Sequence, residues 1–121
     1  MGGTATATLR LKPFDVVVVP FPFTDRDSSK RRPALVLSSA DFNQASGHCV
    51  LAMITSADQS SWIGDAPISN LQAAGLPQPC LVRMKLFTLD QRLVVRVAGS
   101  LLKPDQKRLK ESWAALLPMA P

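Results

Sequence analysis

Much of the reactive chemistry in this chain is crowded into nine residues between two apolar runs. The segment from Thr24 to Arg32 (TDRDSSKRR) holds Asp25, Arg26, Asp27, Ser28, Ser29, Lys30, Arg31 and Arg32. Its polar turn formers predict a surface loop. Flanking strands would hold such a loop at both ends, as they hold many binding loops; a plain solvated loop is the other reading. Arg32 differs from its neighbours because it abuts Pro33 and the strand beyond, which fixes its backbone. A guanidinium offers a rigid fork of donors matched to phosphate oxygens and stays charged at physiological pH. It suits stabilising the extra negative charge of a pentavalent phosphorane. It does not suit taking a proton.

Thr55 and Ser56 close another apolar run, where strand-end hydroxyls can project into a cleft and bind a phosphate or orient an attacking hydroxyl. From spacing alone they read first as a common strand residue and the start of a turn. Arg83 and Lys85, two apart on one strand, share a face. They either extend a basic floor or face water. His48, the only histidine, reads as a surface residue at a strand start. Trp62 reads first as packing over a barrel end or at a dimer contact, and otherwise as a platform for a stacked base.

The elements that must position these groups are short strands. Phe14 to Val19, bounded by Pro13 and Pro20, predicts the first. Pro33 is expected at the entrance of the second, Ala34 to Ser38, where its missing N–H is tolerated. Ala40 to Gly47 reads as a loop with at most one helical turn. Cys49 to Thr55 predicts a central strand buried on both faces or at a dimer contact, and Ser56 to Ser61 a connection. Trp62 to Ile68 predicts a short edge strand, and Ser69 to Ala74 a helical turn closed by Gly75. Leu81 to Thr88 and Leu93 to Ala98 predict two more strands, joined through Leu89 to Arg92. Pro104 opens a helix with Leu109, Trp113, Leu116 and Leu117 on one face, and Pro118 stops it. Strands without intervening helices predict a mainly β (α+β) fold: a small, curled antiparallel barrel with a C-terminal helix.

The chain has 121 residues, which fits one domain. Residues 1–12 read as a flexible tail and 13–121 as a single domain. Fourteen Lys and Arg against nine Asp and Glu leave a net charge of +5, which suits a polyanionic partner or merely keeps the surface soluble. No apolar run is long enough to span a bilayer, and the start does not read as a signal peptide. Cys49 and Cys80 sit apart in apolar stretches and read as reduced, buried thiols of a cytoplasmic protein. With one histidine they make no zinc site at a usual spacing, so no metal or cofactor is expected.

Taken in order, FDVVVVPFPFTD, KRRPALVLS, CVLAMITS, the Gly75-Leu76-Pro77 turn before CLVR, FTLD, and Ala98-Gly99-Ser100-Leu101 before the closing helix resemble the MazF/PemK toxins of toxin–antitoxin systems. The likeness runs from about Phe14 to Leu117, and Arg-Pro before an aliphatic strand is its most specific piece. It implies a small barrel, usually a homodimer, that cuts single-stranded RNA without metal and typically leaves a 2′,3′-cyclic phosphate. By resemblance Arg32 matches the catalytic arginine and Thr55 the catalytic threonine. Asp27 stands roughly where some members carry a functional glutamate, and Ser28 or Ser29 where others carry a serine. Lys30, Arg31, Ser56, Arg83 and Lys85 are then candidates for holding RNA. An acidic antitoxin is the implied protein partner. The chain departs from the pattern at Phe14, where a glycine usually precedes Asp15, and at Cys80, where a serine is common. No histidine lies in the catalytic loop.

Two rival functions remain on sequence grounds. The CcdB gyrase inhibitors share the barrel without nuclease activity, but act through a C-terminus that Leu117-Pro118-Met119-Ala120-Pro121 does not match. An inactive homologue would bind RNA with strong salt dependence and never shorten it.

Overall fold

The computed structural model describes residues 10–21, 30–58 and 61–117. Six strands form one antiparallel, curled half-barrel sheet: β1 (Asp15–Phe21), β2 (Lys30–Val36), β3 (His48–Ser56), β4 (Ala66–Pro67), β5 (Cys80–Asp90) and β6 (Arg96–Ser100). Their order across the sheet is β4-β5-β3-β2-β1-β6. Among the described residues three α-helices accompany them: α1 (Ala40–Ser46), α2 (Leu71–Ala74) and α3 (Lys103–Leu116).

The run of valines in β1 is continuous because both its faces are covered, which removes the need for polar alternation. Val16 joins Leu35, Ala52, Ile54, Val82 and Leu109 in one core, on the side of α3. Val17 and Val19 join Ala34, Val36, Cys49 and Leu51 in a second core on the opposite face. Each such buried aliphatic side chain contributes about 1.5–3 kcal/mol. Leu11, assigned to the tail by sequence, is 1% exposed within the second core, so packing begins before Pro13.

A sharp turn leads into β1. Asp15 is 3% exposed, and its carboxylate accepts from the Lys12 backbone N–H at 3.1 Å and from Lys12 Nζ at 2.9 Å. The turn forces Phe14 to a φ of 75°, the left-handed region where glycine is at home. The glycine that the resemblance leads one to expect here would therefore have a backbone reason. Phe14 adopts the same conformation and packs its ring against the helix-side core.

Several expectations need correction. Lys30, Arg31 and Arg32 are not in a loop; they begin β2, and Pro33 lies inside the strand opposite Val18. Pairing with β1 holds this polar stretch extended. Ala40–Ser46 is a helix, capped by the Ser39 hydroxyl and by Gly47 at a φ of 71°. The expected edge strand over Trp62 to Ile68 shrinks to Ala66–Pro67. The turn after β5 is a short 3₁₀ segment, Gln91–Leu93, and β6 starts at Arg96. In α3, Leu109 and Trp113 pack inward as expected, but Leu116 is exposed. Gly75 ends α2 at a φ of 74°, as its position predicts.

Candidate active site

The β2–β3 ladder is short. It runs only through Ala34 with Met53, Leu35 with Ala52 and Val36 with Leu51. Beyond Ala34, β2 stays paired with β1 as far as Phe21 opposite Lys30. Beyond Met53, β3 stays paired with β5 as far as Ser56 opposite Cys80. The two central strands therefore part company, and the sheet splits between them.

Pro33 gives the split a cause. Backbone groups of successive strand residues point to opposite neighbours. Val36 accepts from Phe14 on the β1 side, whereas Leu37 donates to Val50 of β3. Residue 33 follows the parity of residue 37 and faces β3. A proline there has no N–H to donate, and the ladder ends one residue away, at Ala34.

Arg32 and Thr55 stand on the two lips of this split. Ala34 and Met53 are opposite each other, so the register carried two residues further sets Arg32 against Thr55. Both follow the parity of Ala34, Val36 and Leu51, which share the second core. The two side chains therefore share one face of the sheet. Arg32 is exposed, and its guanidinium carbon lies 5.1 Å from the centre of the Phe21 ring. That cation–π contact aims an otherwise mobile side chain. Thr55 is half-buried opposite Leu81.

The other candidates fall around this pair. Lys30 and Arg31 are exposed at the start of β2. Asp27, Ser28 and Ser29 lie outside the described residues. Ser56 alternates to the opposite face from Thr55, and its hydroxyl donates to Asp58. With Gln78 and Pro79 these residues line a cleft of about 340 Å³ at the end of the β3–β5 ladder. His48 lies seven residues before Thr55, about 23 Å away at strand spacing, and its Nδ1 is 3.0 Å from the Ser46 carbonyl.

Arg83 does not face water. It is 8% exposed and grips Asp65 with two hydrogen bonds, Nε to Oδ1 at 3.1 Å and Nη2 to Oδ2 at 2.9 Å. That bond to Arg83 holds the Asp65 carboxyl below its usual range. Lys85 is exposed, with its Nζ 4.5 Å from the centre of the Trp62 ring. Trp62 itself is 44% exposed, so it does not pack over a barrel end within this chain. Sequence reasoning missed Phe21 as the support of Arg32 and Asp65 as the partner of Arg83. Phe21 carried a signal, since it precedes the polar loop by a few residues. Asp65 carried none, because its partner is 18 residues away in the chain.

Both cysteines are free and buried. Burial, with Asp90 adding to it, pushes the Cys49 thiol up to about 11. Burial also raises Cys80. Neither is a thiolate nucleophile at neutral pH.

The profile of one family, described as PemK-like, MazF-like toxin of type II toxin-antitoxin system, matches residues 12–117. The chain belongs to this toxin family. No curated protein matches it by sequence. Among solved structures, MazE–MazF from Deinococcus radiodurans is similar with a TM-score of 0.72 at 19% identity, covering 93% of this chain and 100% of that one. The Mycobacterium tuberculosis toxin MazF-mt6 gives 0.69 at 19% identity, over 88% and 99%. An endoribonuclease in complex with its cognate antitoxin, from a mycobacterial species, gives 0.70 at 11% identity, over 93% and 97%. At these identities the structures establish a shared fold. Among the described residues of the toxin, no helix is long and apolar enough to cross a membrane.

Proposed function

We propose that this toxin is an endoribonuclease that cuts single-stranded RNA by attack of a ribose 2′-OH on the adjacent phosphorus, without a metal ion. The observation that carries this is the common face and facing register of Arg32 and Thr55 across the split between β2 and β3. A new O2′–P bond forms and the P–O5′ bond breaks, giving a 2′,3′-cyclic phosphate and a 5′-hydroxyl end. Arg32 offsets the charge that builds on the phosphorane oxygens. The Thr55 hydroxyl donates to one of them. Asp27 accepts the 2′-OH proton and water protonates the departing O5′; Ser28, Ser29, Lys30 and Arg31 bind the RNA. DNA is not cut, because it lacks the attacking hydroxyl.

The solved MazE–MazF and endoribonuclease–antitoxin complexes of the same fold support an antitoxin as partner, and we infer that it is acidic. The net charge of +5 agrees with that. The toxin acts in the cytoplasm, as a homodimer.

A mapped digest of a long RNA in excess chelator tests this reading. The expected result is cutting at defined sites, with cyclic phosphate on the upstream product. Intact RNA, or cutting that stops on chelation, contradicts it.

A further inference from the structure

Trp62 is held rigidly yet left open to solvent. Its backbone N–H donates to Asp65 Oδ2 at 3.0 Å, and the Asp65 N–H donates back to the Trp62 carbonyl at 3.1 Å. Asp65 is in turn gripped at both carboxylate oxygens by Arg83, whose strand position is opposite Met53. A largely buried ion pair, with Asp65 half-buried, thus clamps the turn from Trp62 to Asp65 onto β5. The indole on that clamped turn is 44% exposed, and Ile63 beside it is 92% exposed. Together with Leu116, 40% exposed and lining one cleft with them, they make a contiguous exposed apolar patch of the kind that marks an interaction surface.

The surroundings of the ring suit a nucleotide. Lys85 Nζ lies over it at 4.5 Å, and the ring forms part of a cleft of about 300 Å³ shared with Gly64, Met84 and Leu116. A base finds a π-face and apolar contact there, while the ammonium offers a charge for its phosphate. The cleft itself opens on the α3 side, where Ser112 and Ala115 also line it, while Arg83, which clamps the turn, pairs opposite Met53 and so shares the face of Thr55 at the same edge of β5. Between Met53–Arg83 and Ala52–Leu86, Met84 and Lys85 bulge from the ladder. Met84 turns into the helix-side core, and Lys85 projects away from it.

We propose that Trp62 and Lys85 form a stacking subsite for one base of the single-stranded RNA flanking the cleaved bond. This rests on the reading of the toxin as a ribonuclease. Stacking on an indole tolerates any base, so the subsite adds affinity and sets the path of the strand without choosing the sequence.

The test uses the purified full chain and a 2′-O-methyl copy of an RNA segment that it cuts, which binds but cannot react. Binding quenches tryptophan emission, and Trp62→Leu abolishes that quench and weakens binding roughly 5- to 150-fold. Trp62→Phe retains most of the affinity, because a phenyl ring still stacks. The dependence of affinity on salt is unchanged in Trp62→Leu and falls by about one ion in Lys85→Ala. Equal affinity and unchanged emission in Trp62→Leu, while the wild type still cuts RNA, overturn the subsite alone. Trp62→Leu that binds RNA normally but loses an acidic antitoxin assigns the ring to the protein partner and likewise overturns it. A wild type that cuts no RNA overturns the ribonuclease reading, and the subsite with it.

Discussion

Arg32 and Thr55 lie two residues beyond the last rung of the β2–β3 ladder, Ala34 with Met53, on facing strands and on one side of the sheet. Neither residue could be brought there by local sequence preference. Arg32 is held extended by pairing opposite Val19, and Thr55 by pairing opposite Leu81. The separation of their strands follows from one missing donor, the N–H that Pro33 lacks. The Arg-Pro sequence is thus a physical unit: proline opens the sheet, and the preceding arginine occupies the edge of the opening.

Restoring that donor should narrow the site. In Pro33→Ala, the new amide faces β3 and can extend the ladder by one bond, worth about 0.5–1.5 kcal/mol. The expected outcome is a slow-exchanging amide at position 33 in hydrogen-exchange NMR, an unchanged or higher Tm, and slower RNA cleavage. A fast-exchanging amide at that position would mean that something other than proline holds the strands apart.

The left-handed backbone at Phe14 inverts a common ranking. Elsewhere in a strand or helix, glycine is less stable than alanine by roughly 0.5–1 kcal/mol. At a φ of 75° an L-residue carries a penalty of about 1–2 kcal/mol that glycine escapes. Phe14→Gly and Phe14→Ala both lose the packing of the ring, so their difference isolates the backbone. Urea unfolding should find Phe14→Gly more stable than Phe14→Ala by about 1 kcal/mol.

Asp105 ties the start of α3 to the segment before α2. Its carboxylate, 3% exposed, accepts from the Ser69 N–H and hydroxyl, the Asn70 N–H and Arg108. Burial alone would raise its pKa, but these donors outweigh burial and hold it at about 2. A folded-state value below the unfolded one means that unfolding takes up a proton. The stability is therefore complete above the ordinary carboxylate value of 3.8 and is lost as pH falls from there towards 2. Asp105→Asn should flatten the pH dependence of unfolding in that window by up to one proton. It should also cost roughly 1–3 kcal/mol at neutral pH, because an amide cannot satisfy every donor.

The sequence foretold elements whose signal is local. The valines of β1, the apolar β3 and the Leu109–Trp113 face of α3 each carry their pattern within a few residues. Residues 30–32 do not. Their charge and turn propensity argue for a loop, and only the partner strand reveals them as β2. Arg83 fails in the same way, since its spacing from Lys85 promises a basic floor while its partner Asp65 reaches it only through the fold. The helix over Ala40–Ser46 was signalled by its caps, Ser39 and Gly47, but it lacks an apolar stripe long enough to be recognised. At the candidate site, Arg32 and Thr55 could be singled out by residue type and by resemblance. The split that sets them face to face depends on which neighbour Pro33 faces, and that is visible only in the register.

The most direct test of the central claim is a double-mutant cycle across the split. Single-turnover cleavage of one RNA is measured for the wild type, Arg32→Ala, Thr55→Ala and the double variant. Arg32→Ala should slow cleavage by about 10²–10³-fold, as the loss of a charge-stabilising donor does elsewhere. The double variant should be far less impaired than the product of the single effects, because both groups act on one phosphate. Full activity in Arg32→Ala, or strictly multiplicative effects, would contradict the proposal that these two residues hold the same phosphate between them.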